Sequence, residues 1–366
     1  MIRQTFAKID LDAFKRNVGI MRGIIGDSVL LMAVVKADAY GHGLVPIAHA
    51  AQDAGADWLG VALAEEGVII RESGIRQPVL LLAGQGAEGT RQAVAHGLTL
   101  TAFTPEHLEY AQSAAIRTGL VADIHLKLDT GMNRIGLKTD DELKELLNKL
   151  KSLPQVRLCG AFTHFACADS RDPSFTDRQL ACFRQMVSAL PEGILLHASG
   201  TSAIIKRPDA RFHMARAGLA LYGYSPVETD AVFEPVLSFM AEITHVKTIS
   251  AGDSVSYGAR YTAQKDTRVA TLAVGYGDGY CRDLSQKGEV LINGRRCRVL
   301  GTVCMDQIMA DVSDAGPVIP GDQAVLIGKQ GENSILAHEL ASLTGTIPYE
   351  ILLAISKRVP RVYTQS

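Results

Sequence analysis

No cysteine pair spaced C-x-x-C occurs in the 366 residues; the six cysteines, Cys159, Cys167, Cys182, Cys281, Cys297 and Cys304, are scattered singly. That spacing fits neither a zinc site nor a dense disulfide framework, so no metal is expected and a reduced cytoplasmic compartment is the simplest setting. Long apolar runs are missing too. Stretches such as VLLMAVV (29–35) stop well short of the roughly 20 residues a bilayer span needs, so no membrane partner is expected. The first segment, MIRQTFAKIDLDAFKRN, has charges through it and lacks the apolar stretch and cleavage site of a secretory signal, so export is not expected. With a formal net charge of −2 and no dense Lys/Arg run interleaved with aromatics, nucleic acid is not an expected partner.

What is present is an ordinary globular composition, 47% apolar and 21% charged, in a chain longer than one core usually supports. From residue 29 to about 223, eight short apolar runs recur: 29–36, 58–63, 78–84, 98–103, 122–129, 156–165, 193–199 and 213–223. Between them lie stretches such as 44–55, 104–119 and 176–190, where apolar residues return every three or four positions, as on one face of a helix. Runs that are apolar nearly throughout suit strands covered on both faces. Eight such units over about 200 residues match a (β/α)8 barrel. Beyond about residue 230 the texture becomes β-branched segments cut by Gly, Asp and Asn turns, with a helix near 335–345 ending at Gly345. The expected class is α/β, a (β/α)8 TIM-like barrel over 1–230 followed by a mainly β domain over 231–366.

In AVVKADAYGHG, Lys36 ends the first apolar run, and the C-terminal strand ends of a barrel form its catalytic face. Desolvation lowers an ammonium pKa toward the range where the amine attacks a carbonyl, which makes Lys36 a Schiff-base candidate; the bland alternative is a lysine that simply reaches solvent. In HLKLDTGMNRIG, Lys127 and Asp129 alternate on one face, and Gly131 lets the chain turn so that Arg134 comes back over the barrel mouth, where its fork suits a carboxylate. The alternative is a loop ion-pair network. His164 and His197 stand at later strand ends, with Asp169 and Thr201 close behind them. Arg216 lies among apolar residues just before Gly218 and so demands a partner, either a ligand atom or a structural ion pair. Tyr257, Tyr276, Met305 and Tyr349 sit in Gly-flanked or short polar motifs of the second part, and by themselves they read as packing residues.

Taken together, AVVKADAYGHG, KLDTGMNRIG, THFA, ARAGLALYG, VSYGARYTA, GYGDGY, CMDQ and PYEIL resemble the alanine racemases, in the same order from about residue 8 to 363. The resemblance implies pyridoxal 5'-phosphate as cofactor, alanine as small-molecule substrate, and a head-to-tail homodimer with shared sites that supplies D-alanine for peptidoglycan. It implies that Lys36 carries the cofactor, with Tyr40, Thr201, Tyr349 and the backbone of Gly218 and Leu219 at the phosphate and Arg216 at the ring nitrogen. Lys36 and Tyr257 would be the two bases; His164, Arg216 and His197 would form a network behind Tyr257. Arg134 would orient the substrate, braced by Lys127, which many relatives carry as a carbamate; Met305 would line the pocket, and Tyr276 and Asp169 its entrance. Two segments depart from the family pattern: SGTSA, where Asn-Ser-Ala is common, and Thr302, where many members carry Arg. Both leave serine or a broader range of small amino acids open as substrates. The reading of another class is a pyridoxal-phosphate-binding protein without turnover.

Overall fold

The computed structural model describes residues 4–365. Their chain forms two compact units, one of residues 14–39 and 44–234, the other of residues 4–13, 40–43 and 235–365. The opening strand, β1 (Phe6–Asp10), belongs to the second unit although it precedes the first in sequence.

The first unit is built on eight parallel strands: β2 (Leu30–Val34), β3 (Trp58–Val61), β4 (Val79–Leu81), β5 (Leu100–Ala102), β6 (Ala122–Lys127), β7 (Val156–Phe162), β8 (Leu195–His197) and β9 (Met214–Ala217). They pair in the orders β4-β3-β2-β9 and β5-β6-β7-β8. A parallel bridge between Leu80 and Thr99 joins one seam. The amides of His213 and Arg216, donating to the carbonyls of Leu196 and Ser199, join the other. The ring is closed, and each of the eight apolar runs holds one strand. Helices fill the intervals where apolar residues recur at helical spacing, among them Leu44–Asp53, Pro105–Thr118 and Ser174–Val187. Their ends follow local chemistry. Thr139 caps the helix Asp140–Leu150 by accepting from the Glu142 amide, while the Glu142 carboxylate accepts from Thr139, and Gly119 stops Pro105–Thr118 in the left-handed conformation.

The barrel interior is layered. Met32, Leu80 and Met214 are fully buried against each other, with Leu30, Trp58 and Leu82 packed on them. Truncating one of these to Ala costs about 2–5 kcal/mol by the usual behaviour of buried methionine and leucine. Because strand side chains alternate, the next inward positions are Arg216 above Met214 and the pair His125 and Lys127 on β6, so a polar layer sits directly on the apolar plug.

In the second unit, β1 pairs antiparallel with β10 (Leu237–Ile249), and the described strands that follow are β11 (Ser254–Val255), β12 (Tyr261–Thr262), β13 (Thr267–Leu272), β14 (Glu289–Ile292), β15 (Arg295–Leu300), β16 (Ile308–Asp311), β17 (Gln323–Gln330), β18 (Asn333–Ile335) and β19 (Arg361–Thr364). The main sheet runs β18-β17-β14-β15-β16-β13-β10-β1-β19, and an added β17–β10 pairing closes six of these strands into a ring. A helix, Ala337–Thr344, ends at Gly345 in the left-handed conformation.

Candidate active site

Lys36 follows β2 by two residues, and the chain beyond it takes an uncommon path. Ala37, Asp38, Ala39 and Tyr40 all have φ of 52–53°, a left-handed helical turn made without glycine. Each such residue costs about 1–2 kcal/mol, so the turn persists only if its surroundings hold it. They do. The Glu66 carboxylate accepts from the amides of Ala37 (2.5 Å) and Ala62 (2.9 Å), and Asp38 accepts from the amide of Leu44 (2.8 Å). Small side chains at 37 and 39 reduce the crowding, which is the physical content of KADA in this motif. Burial lowers the Lys36 ammonium pKa, the Arg134 charge lowers it further, and Glu66 opposes both.

The polar layer of the barrel is organised by Arg216, which is buried. Its Nη1 donates to His197 Nδ1 (2.8 Å), and Nη2 is shared among the carbonyls of Thr163 and Ala198 and Nδ1 of His164. A guanidinium has only donors, so both histidines must accept through Nδ1 and keep their proton on Nε2. Burial, reinforced by the Arg216 charge, holds His164 at about 3 and His197 well below the ordinary imidazole range. Burial also brings Arg216 down to about 9, which leaves it charged at neutral pH. The Phe162 ring stacks on His197 and lies 5.4 Å from both Lys127 Nζ and the Arg216 guanidinium carbon, a shared platform for two cations. Lys127 donates to the Leu128 carbonyl, and burial followed by the Arg216 charge draws its pKa to about 7.

The loop after β6 folds back as expected, through Gly131 and through Gly136, where a Cβ would lie 2.7 Å from the Asp129 amide. It carries Arg134, exposed, close enough for its charge to act on Lys36, Lys127 and His164. Thr201 accepts from the amide of Gly218 (3.0 Å), which leaves its hydroxyl proton to donate elsewhere; Leu219 opens the turn Leu219–Tyr222. Asp169 stands exposed in a turn beyond β7.

The other candidates lie on the second unit. Tyr40 and Tyr349 bring their rings together at 5.6 Å, and burial, then the proximity of Tyr349, pushes the Tyr40 phenol up. Tyr257 is 72% exposed, on a turn where Ser256, Gly258 and Ala259 all have positive φ. Its carbonyl accepts from the buried Thr302 hydroxyl (2.8 Å), and Ser256 Oγ donates to the Thr302 carbonyl (2.6 Å). Thr302 thus braces the turn of Tyr257. Tyr257 and Met305 line one groove of about 680 Å³ with Lys247, Asp306 and Met309. The amides of Tyr276 and Gly277 donate to the carbonyls of Cys304 and Met305, and a Cβ at Gly275 would land on Cys304, so the glycines of GYGDGY seat the Met305 turn.

Reasoning from sequence missed Glu66, His125, Thr163 and Phe162. His125 is fully buried, with Nδ1 2.9 Å from His197 Nε2. Its position two before Lys127 on an inward-facing strand was the available signal. The buried imidazoles should also weaken the fold in acid. Burial holds His125 and His164 at about 3, against about 6.5 in an unfolded chain. Between those values the unfolded chain binds protons that the fold refuses. Their contribution is therefore intact above pH 6.5 and falls away toward pH 3, by up to about 1.4 kcal/mol per pH unit for each group. Urea unfolding should show a loss of a few kcal/mol from pH 7.5 to 5; a flat profile over that range would contradict the assignment of neutral buried histidines.

A closed barrel carrying a desolvated strand-end lysine and an Arg–His layer, together with a mainly β unit presenting an exposed tyrosine, is the arrangement expected of the class the motifs resemble, the pyridoxal-phosphate-dependent amino-acid racemases of barrel type. The comparisons with known proteins bear that class out. The family profiles of the alanine racemase N-terminal and C-terminal domains match residues 9–226 and 236–363. The alanine racemase of Symbiobacterium thermophilum is 44% identical, with 99% of this chain and 97% of that protein covered; alanine racemase 1 of Bacillus subtilis is 39% identical, with 100% and 94% covered. The crystal structure of alanine racemase from Bacillus anthracis with bound L-Ala-P superposes with a TM-score of 0.93 at 36% identity, covering 99% of this chain and 95% of that one. The chain belongs to the alanine racemase family.

Proposed function

We propose that this protein interconverts L-alanine and D-alanine with pyridoxal 5'-phosphate by a two-base mechanism. The observation that carries the reading is Lys36, an amine whose pKa is lowered by burial, held at a barrel strand end by a strained left-handed turn. The donor types fit the cofactor: on the barrel unit a lysine able to bond its aldehyde, a threonine hydroxyl for its phosphate and a guanidinium with two N–H hydrogens left over for its ring nitrogen, and on the other unit paired tyrosines of the kind that bind phosphate. By the family resemblance Lys36 Nζ would hold the cofactor and Arg216 would meet its ring nitrogen; Thr201 and the backbone of Gly218 and Leu219, and on the other unit Tyr40 and Tyr349, would serve its phosphate. When bound, pyridoxal phosphate supplies an electron sink conjugated to the substrate α-carbon.

Arg216 carries only N–H donors, so toward an acceptor nitrogen of the cofactor ring it would donate a hydrogen bond and would supply no proton. Lys36 Nζ moves the α-proton on one face and Tyr257 Oη on the other. His164, with its proton fixed on Nε2, donates to the Tyr257 oxygen and stabilises its phenolate; His197 secures Arg216 behind it. Arg134 orients the substrate carboxylate. Lys127, at about 7, is in part a free amine at neutral pH, the state that takes up CO2 to form a carbamate able to brace Arg134. Tyr257 and Met305 come from a second copy in a head-to-tail homodimer, a reading supported by the exposure of Tyr257 on its own unit. Tyr276 and Asp169 serve the entrance. No described helix is long and apolar enough to cross a membrane, and the six cysteines are free. The cytoplasmic setting and the supply of D-alanine for peptidoglycan rest on the family resemblance.

Purified protein loaded with pyridoxal phosphate is incubated with L-alanine or L-serine in deuterium oxide while optical rotation and α-deuteration are followed. Alanine should lose rotation and gain deuterium together. Turnover of serine with alanine inert would overturn the substrate assignment, and deuteration without inversion would overturn the two-base scheme.

A further inference from the structure

We propose that His125 is a positioning residue for Arg216, acting through His197. The polarity of this chain is dictated from its charged end. Arg216 Nη1 donates to His197 Nδ1 at 2.8 Å, so the remaining His197 proton sits on Nε2 and donates to His125 Nδ1 at 2.9 Å. His125 must then be neutral with its own proton on Nε2. A protonated His125 would point Nδ1–H at His197 Nε2–H, forcing the His197 proton round to Nδ1 and against the Arg216 donor. Burial holds His125 neutral; the Asp123 charge opposes it and the Arg216 charge reinforces it, and burial is the largest of the three.

The barrel is built around this ring. The β6–β7 register shifts between Ile124 and His125, so that Ile124 faces Leu158, His125 faces Gly160 and Cys159 is bulged out. Bulges re-aim side chains, and this one places a glycine opposite His125, where a Cβ would lie 2.6 Å from its Cε1. At the far end His125 Nε2 is buried without a hydrogen-bond partner, beside the Trp58 ring at 5.4 Å. An apolar ring would suit that end better. What phenylalanine could not supply is the acceptor at Nδ1, which takes the His197 Nε2–H, holds the His197 ring in place and with it the plane of the Arg216 guanidinium.

The effect on turnover rests on the racemase reading; the tautomer order does not. In full-length protein carrying 15N-histidine, two-bond 1H–15N spectra should show His125 and His197 neutral with the proton on Nε2, unchanged from pH 6 to 8.5. A proton on Nδ1 of either residue, or titration in that window, overturns the proposal. His125→Phe should keep the His197 proton on Nε2 but strip it of its acceptor, moving the His197 Nε2–H resonance upfield and speeding its exchange with water, and should lower kcat by about tenfold with KM little changed, as misorientation of a positioned group does. His125→Asn, whose amide oxygen can take the place of Nδ1, should restore most of both. Wild-type kcat and an unshifted His197 Nε2–H resonance in His125→Phe would also overturn it. Should His125→Phe fail to fold, the wild-type spectra and His125→Asn decide. A wild-type protein that shows the tautomer order but turns over no amino acid would sink the racemase reading alone.

Discussion

Lys36→Ala should abolish racemisation and remove the visible absorbance of bound pyridoxal phosphate in the same protein. Two losses combine. A positioned general base is worth about 10²–10⁴-fold, and loss of the covalent hold on the cofactor adds to that, so kcat/KM should fall by at least about 10⁴-fold. The fold should survive, because the substitution removes a desolvated amine whose charge is disfavoured where it lies and leaves the Glu66 and Asp38 clamps on the following turn in place. Absorption spectra, borohydride reduction followed by peptide mapping, and a thermal melt check these points together. A yellow protein reducible at another lysine, or one that racemises alanine without Lys36, refutes the assignment.

The barrel was legible because its signal is periodic and local. Each of eight apolar runs holds one parallel strand, from Leu30–Val34 to Met214–Ala217, since strands buried on both faces leave no room for polar alternation. The opening strand escaped because its partners are distant: Phe6–Asp10 lies between Leu237–Ile249 and Arg361–Thr364, and neither pairing leaves a trace in the residues around it. Lys36, Lys127, His164, His197 and Arg216 could be singled out as charged or titratable groups in apolar surroundings, where burial must be compensated. Glu66 could not, and His125, inward-facing two residues before Lys127, shows its link to Arg216 only in three dimensions. Glu66 sits in an amphipathic helix and looks like any solvent-facing acid, yet its carboxylate clamps the amides of Ala37 and Ala62. His125 needed the register slip at Cys159 to become visible as part of the Arg216 chain. The left-handed turn was likewise hidden, because alanine and aspartate rarely adopt it and only tertiary clamps make it stable. Thr302, a departure from the family pattern in sequence, acquires a meaning only in three dimensions, as the donor to the Tyr257 carbonyl.

Tyr257→Phe should keep the cofactor absorbance and lose most of the racemisation, about 10²–10⁴-fold in kcat, because the ring and its strained turn remain while the proton carrier is gone. The form of the loss distinguishes a base from a packing residue. L- and D-alanine have equal free energies, so kcat/KM for net racemisation must fall equally in both directions whichever base is removed. Exchange is not bound by that constraint. Lys36 still serves its own face, so the α-hydrogen of one enantiomer should continue to wash out into deuterium oxide without inversion, while that of the other is retained. A tyrosine that merely packed would slow both exchanges and net turnover alike. Following α-deuteration separately from each enantiomer, alongside optical rotation, therefore reads the role directly: unequal exchange assigns Tyr257 to one face of the α-carbon, and equal exchange removes it from the chemistry.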